Sequence, residues 1–127
     1  MFIDRNSIII DGVNMGSYLV EVEYQYNKLW ASDTGRNLAG EMSGTLVGIF
    51  PKFVLQFRQL SKTEFETIAQ ILDKSNQIFT YYDPYKRQTI TIQTYTGDYK
   101  ITNKNMLNNV DKNEGFSCSF IATSKRV

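Results

Sequence analysis

Few side chains in this sequence are spaced for covalent or acid–base chemistry. Asp33-Thr34-Gly35 is a triplet used in proteolysis by paired aspartates, a mechanism that needs two carboxylates sharing one proton. The sequence holds one copy, flanked by the polar Ser32, Arg36 and Asn37, so a second chain would have to complete the pair. Glu21 and Glu23 fall on one face of a strand-like segment, about 7 Å apart by strand rise, a spacing at which paired carboxylates can hydrolyse glycosides. A solvated strand face accounts for them more simply, and that is the expected reading. Cys118 alternates with Phe116 and Phe120 and reads as a small buried hydrophobe. Gly35 and Gly40 make no phosphate-cradling pattern. Tyr81, Tyr82, Tyr85, Tyr95 and Tyr99 lie near Lys86, Arg87 and Lys100, an interleaving that could stack bases or sugars. Tyrosine is also a good strand residue with one polar end.

Composition narrows the chemistry further. The sequence contains no histidine, which removes imidazole bases, imidazole metal ligands and the usual pH switch. One cysteine excludes an internal disulfide and a thiolate-cluster zinc site. The 127 residues, 42% hydrophobic and 21% charged, are expected to form one globular domain, residues 1–127. The net charge is +1, and neither the first 60 residues nor the remainder carries the excess that nucleic acid or an anionic membrane would attract. No apolar run approaches the ~18 residues of a membrane span. Met1-Phe2-Ile3-Asp4-Arg5-Asn6 lacks the apolar stretch of a secretory leader, so synthesis in a cytoplasm is expected. No catalytic residue, cofactor or metal is predicted, and neither sequence-specific nucleic-acid recognition nor membrane insertion is expected.

The elements that must carry these residues are mostly strands. Residues 7–11 read as a short strand closed by the turn dipeptide Asp11-Gly12. Residues 17–27 alternate cleanly, with Tyr18, Val20, Val22, Tyr24 and Tyr26 on one face and Leu19, Glu21, Glu23 and Gln25 on the other. Residues 29–44 show no period and hold three glycines, which predicts a long loop of about sixteen residues, long enough to suggest a binding role. Residues 45–50 and 52–58 read as two strands separated by Pro51, with Phe53, Leu55 and Phe57 sharing a face. Ser61-Lys62-Thr63-Glu64 is a capping box, and Leu60 with Phe65 stands at hydrophobic-staple positions. Phe65, Ile68, Ala69, Ile71 and Leu72 then continue a helix over about 61–74. Strands over 77–82, 88–95 and 99–102, joined by Asp83-Pro84-Tyr85-Lys86 and Thr96-Gly97-Asp98, read as a meander. Residues 103–115 read as a polar loop with at most one turn around Met106-Leu107. Phe116, Cys118, Phe120 and Ala122 alternate in a final strand, and residues 124–127 read as a loose basic tail. The expected class is mainly β (α+β): seven or eight antiparallel strands in a sandwich or open barrel, with one flanking helix between the fourth and fifth.

The order of these pieces is similar to that in a family of small prophage structural proteins from Gram-positive bacteria. Ser32-Asp33-Thr34-Gly35-Arg36-Asn37-Leu38-Ala39-Gly40-Glu41-Met42 resembles that family's D-S/T-G-R-x-x-x-G-x-M segment. Its proline break is matched by Pro51, its helix start by Leu60-Ser61-Lys62-Thr63-Glu64 and its Tyr-x-Asp-Pro strand end by Tyr81-Tyr82-Asp83-Pro84. Its opening I-x-I-x-G-V is matched by Ile8-Ile9-Ile10-Asp11-Gly12-Val13. In size and element order the family is similar to phage tail-tube and distal-tail folds, whose subunits form hexameric rings.

The resemblance implies a non-enzymatic virion component at the distal tail, baseplate or tube, assembled in the host bacterial cytoplasm. It implies as partners further copies of the chain, six to a ring, and other phage tail proteins. The 29–44 loop would then reach a neighbour, with Trp30 and Arg36 as anchors, Met42 as adaptable packing, and Asp33 and Leu38 completing the contact. The alternative from the residues alone is a monomeric carbohydrate- or nucleic-acid-binding β module that uses the tyrosine-rich turns.

Overall fold

The computed structural model describes residues 4–30, 35–36, 42–104, 107, 112–113 and 115–126. After a 3-10 turn at Arg5–Ser7, the chain forms β1 (Ile9–Ile10), β2 (Val13–Asn14), β3 (Leu19–Trp30), β4 (Gly35–Arg36), β5 (Met42–Ser43) and β6 (Leu46–Phe57). Helix α1 (Lys62–Leu72) follows, then β7 (Gln77–Asp83), β8 (Gln88–Thr96), β9 (Asn103–Lys104), β10 (Lys112–Asn113) and β11 (Ser117–Ala122). Seven strands make one antiparallel sheet in the order β2-β1-β7-β8-β11-β6-β3, and β4–β5 and β9–β10 are separate two-stranded ribbons. Along the chain the helix falls between the fourth and fifth strands of the large sheet, as expected.

The sheet curls. Tyr24, on edge strand β3, meets Tyr81 of β7 ring to ring at 5.7 Å, and Phe53 of β6 stacks on Phe79 of β7 at 4.4 Å. Strands that are not neighbours in the sheet therefore face each other across one core, which is an open barrel rather than two stacked sheets. The alternating residues Phe53, Leu55 and Phe57, with Phe116, Cys118 and Phe120, form that core together with Phe79 and Tyr81. The helix covers one opening. Ile68, Ile71 and Leu72 are buried beneath it, and Phe65 packs edge-on against Phe116 at 5.8 Å. Its capping box is formed in full: Ser61 Oγ accepts from Glu64 N at 3.3 Å, and Glu64 Oε1 accepts from Ser61 N at 3.0 Å. At the other end the buried Gln77 side chain donates from Nε2 to the carbonyls of Ile71 (3.0 Å) and Lys74 (2.9 Å), and so ties the end of the helix to β7.

Several expectations are corrected. Residue 7 belongs to the opening turn, and the first strand is only Ile9–Ile10. Asp11 (φ 51°) and Gly12 (φ 81°) then make the two-residue hairpin turn into β2, a geometry that demands left-handed residues. β3 is longer than 17–27 and does not keep one phase. Its register slips between Leu19 and Glu21, so Val20 is an extra residue, 63% exposed, while Leu19 joins Val22 and Tyr24 on the core.

Pro51 does not divide two strands: β6 runs through it, and Pro51 pairs with Tyr26. Phe57 N donates to Phe116 O, and Ile49 O accepts from Arg126 N, so the odd positions of β6 turn their backbone groups away from β3. The missing N–H of Pro51 thus faces the β11 side, beyond the last β6–β11 pair at Lys52, and the β3 ladder loses nothing. The third meander strand at 99–102 is absent, because β11 takes the free edge of β8; Tyr99 and Ile101 only rest side chains on the core. Residues 103–115 hold the β9–β10 ribbon, and Met106 lies outside the described residues. The tail is not loose either, as the site shows.

Two measurements test this account of the helix. Ser61→Ala is expected to cost about 1 kcal/mol in denaturant unfolding. The Glu64 carboxyl, held down at about 2 from its ordinary 4.5 chiefly by the hydrogen bond from Arg58, contributes stability above pH 4.5 that is lost as pH falls toward 2. The melting-temperature gap between the native chain and Glu64→Gln is therefore expected to close over that acid range.

Candidate functional site

The predicted contact residues are not one chemical site. Trp30 closes β3 and pairs with Leu46 at the start of β6, after a register slip that leaves Val47 as an extra residue. The segment expected as a loop over 29–44 is thus strand at its start, and within it Arg36 of β4 pairs with Met42 of β5. Asp33 and Leu38 lie outside the described residues. The structure places Trp30 at the tip of a two-stranded ribbon, where Leu29, Trp30, Leu46 and Val47 are 51, 39, 41 and 43% exposed. Four large apolar side chains at one tip stand out against a sheet whose other exposed apolar residues are more scattered.

Just below the tip, Leu29, Phe50, Tyr95 and Ile121 line an open groove of about 420 Å³ on the outer face, with Asn27 and Lys28 at its rim. Alternation explains it: these residues sit on outward positions of β3, β6, β8 and β11. The groove and the tip share Leu29.

The candidate carboxylates do no paired work. Glu21 and Glu23 are both exposed on β3, and Glu23 accepts from Gln25 Nε2 at 3.2 Å. Cys118 is 2% exposed, and burial pushes its thiol up to about 11, away from reactivity. Among the described residues no cluster of three acidic or thiol side chains could hold a metal ion, and no helix is long and apolar enough to cross a membrane.

The five tyrosines do not share a surface. Tyr81 is core, and Tyr82 and Tyr95 are outward on the sheet. Tyr85 precedes β8 and Tyr99 follows it, so about 30 Å of strand separates them. Tyr99 Oη donates to Asp73 Oδ1 at 2.5 Å at the end of the helix, and Tyr85 lies under the Arg126 guanidinium at 4.3 Å.

That last contact is one the sequence reading missed. Asp83 is fully buried; its carboxylate accepts from Tyr81 Oη (3.1 Å), Tyr85 N (2.8 Å) and Lys86 N (3.4 Å). Arg126 stands 3.9 Å from it, with its guanidinium over the ring of Tyr26 at 5.3 Å as well as that of Tyr85. The signal was present: Gln77, Phe79, Tyr81 and Asp83 alternate inward on β7, so an acid occupied a core parity and required a cation.

No protein-family model matches the chain, and no curated protein matches it. Among solved structures it is similar to the crystal structure of phage SPP1 Dit, described as a paradigm of the hub adsorption apparatus in phages infecting Gram-positive bacteria. The identity is 11% and the TM-score 0.49, with 93% of this chain covered. The chain spans about half of that protein, 49% of its length. No site, partner or activity is carried over from it.

The tyrosines at the Asp83 end make alkaline stability a test of this geometry. Burial pushes Tyr26 up to about 12, with the Asp83 charge adding to it, and raises Tyr24 and Tyr81 further. The Asp73 carboxylate, through its hydrogen bond, holds Tyr99 at about 12. A raised native value means stability that is full below the ordinary 10.0 and is lost as pH rises beyond it. Tyrosinate absorbance and circular dichroism are expected to change together above pH 10. Complete ionisation of all eight tyrosines with a native dichroism spectrum would contradict the burial described.

Proposed function

We propose that this chain is a non-enzymatic structural component of a bacteriophage tail, one domain that joins copies of itself and other tail proteins through the β3–β6 ribbon and the segment it carries. The observation that carries the reading is the exposed apolar ribbon tip, Leu29, Trp30, Leu46 and Val47, of which Leu29 also lines the outer groove with Phe50, Tyr95 and Ile121. Exposed apolar patches of this kind cost solubility unless a partner covers them. The ordered segments, covering most of the chain from Ser7 to Phe120, that resemble small prophage structural proteins support the same reading and suggest the setting.

In this reading the subunits close a ring, six copies being the expected number, at the distal tail, baseplate or tube. Each weak contact is repeated by symmetry and becomes strong in the closed assembly. Trp30 inserts into the neighbour, and Asp33, Arg36, Leu38 and Met42 extend the contact along the connecting segment. The particle forms in the host cytoplasm and ends in the virion. No reaction and no cofactor are involved. The tyrosine-module alternative is not favoured, because its tyrosines are dispersed: Tyr81 is core, and Tyr85 and Tyr99 lie at opposite ends of β8.

Light scattering after size exclusion, across a wide concentration range, tests the proposal. Rings or stacks are expected, and Trp30→Ala is expected to weaken association by about thirtyfold, the scale of a 2 kcal/mol hot spot. A strict monomer both alone and mixed with neighbouring tail proteins would overturn it.

A further inference from the structure

The end of the barrel away from the helix is built around a charge that nothing in an assembly role requires. Tyr24, Tyr26, Tyr81 and Tyr85 gather there around Asp83, and the Tyr24 and Tyr26 hydroxyls are buried with no hydrogen-bond partner among the described residues. One planar cation sits among them. Arg126 is covered on one side by Tyr85 at 4.3 Å and on another by Tyr26 at 5.3 Å, with the buried Asp83 carboxylate at 3.9 Å. Its side chain is only 11% exposed. Aromatic faces and a desolvated carboxylate are the two features that favour a guanidinium over an ammonium ion.

Among the described residues, hydrogen bonds hold the segment that delivers Arg126 at its two ends. Thr123 donates from N (3.0 Å) and Oγ1 (3.2 Å) to Gln93 O on β8, and Arg126 N donates to Ile49 O on β6 at 2.7 Å. Between these points the segment stands off β8, leaving a gap of about 320 Å³ bordered by Gln88, Ile90 and Ser124. It also crosses Gly48 closely: a Cβ on Gly48 would meet Lys125 Cβ at 2.7 Å and Cδ at 2.8 Å. No strand ladder joins the β3–β6 ribbon to the β7–β8 hairpin here, since β11 pairs with β6 only as far as Lys52 and with β8 only back to Thr94.

We propose that Asp83, Tyr26 and Tyr85 form a guanidinium-binding cage whose occupant is the chain's own Arg126, and that residues 123–126 thereby act as a releasable strap latching the β3–β6 ribbon to the β7–β8 turn. Few apolar contacts hold the strap, so it opens without unfolding the core. With the strap seated, the ribbon and its exposed tip are fixed in direction. With it released, Ile49 O and the wall at Tyr26 are freed, and the ribbon moves as a separate unit. The inference concerns the single chain and does not rest on the assembly reading.

Hydrogen exchange on the full-length chain tests it, with Arg126→Ala, Arg126→Lys and Gly48→Val beside the native protein. In Arg126→Ala, exchange is expected to rise about tenfold or more in residues 24–30, 46–51 and 84–87, while α1 and residues 53–57 keep native protection. Arg126→Lys is expected to behave like the alanine variant, because an ammonium cannot lie flat between the two rings. Gly48→Val displaces the strap from its other side and is expected to give the same pattern with the cage intact. Methylguanidinium at about 50 mM is expected to restore protection in Arg126→Ala, where methylammonium does not.

Unchanged exchange in both Arg126→Ala and Gly48→Val would overturn the proposal, as would a uniform rise that includes α1. Equal rescue by methylammonium would overturn the guanidinium cage. If Arg126→Ala does not fold, Tyr85→Ala replaces it: that ring is 74% exposed, and its loss is expected to give the same local pattern at smaller amplitude.

Discussion

A carboxylate with no solvent exposure has to be neutralised or fully hydrogen-bonded, and Asp83 is such a group. Much of the molecule's arrangement away from the helix follows from satisfying it. The backbone N–H groups of Tyr85 and Lys86 bend toward its Oδ1, which shapes the β7–β8 turn and leads to the left-handed Arg87 (φ 56°). The Tyr81 hydroxyl reaches its Oδ2 from within the core, so the largest buried aromatic keeps a polar end without an orphaned donor. Arg126 supplies the charge, and to do so the end of the chain must cross β6. One buried acid thus ties the β7–β8 turn to the segment that crosses β6, two parts that no strand ladder joins here.

The opposite end obeys a different economy. There the barrel is closed by apolar contact, with Phe57 stacked on Phe116 at 4.8 Å and the helix laid over both. Gly115 shows how tight this closure is: a Cβ would stand 2.1 Å from the Phe57 carbonyl oxygen, so only glycine allows β11 to enter beside β6. The chain is therefore sealed by packing under the helix and by a charge under the turn. Removing a single methylene matters most at the first, and removing a single cation at the second.

What the sequence made legible were the features that depend on neighbours along the chain. The capping box, the stripe at Phe65, Ile68 and Leu72, and the alternation of Phe53, Leu55, Phe57 and of Phe116, Cys118, Phe120 are local patterns, and each stands where the pattern places it. What was not legible depended on strand pairing. Val20 leaves its face because β3 gains a residue against β6, and Pro51 is tolerated because its parity faces away from β3; neither can be known before the partner strand is known. Residues 99–102 have the turns and the apolar residues of a strand, but β11 fills the edge they would need. Of the candidate contact residues, Trp30 is 39% exposed and Arg36 and Met42 pair in a ribbon, while the Arg126 contact was missed because it joins residues 43 positions apart in sequence.

The ribbon itself explains why its tip rather than its edge is suited to a partner. β3 is an edge strand of twelve residues, a length that invites unwanted pairing. Its first half is blunted: the Val20 bulge breaks the ladder, and Glu21 and Glu23 place two like charges on one face, which opposes docking of an identical edge in register. Toward Trp30 the acids give way to Asn27, Lys28 and Leu29, and the second slip at Val47 twists the ribbon end. An edge defended over one half and apolar at the other end restricts where a second protein can bury area. Contact is directed to side chains at the tip, whose pairing depends on shape and apolar cover, and away from a backbone ladder that any exposed strand could join. That division disfavours polymerisation along the strand edges.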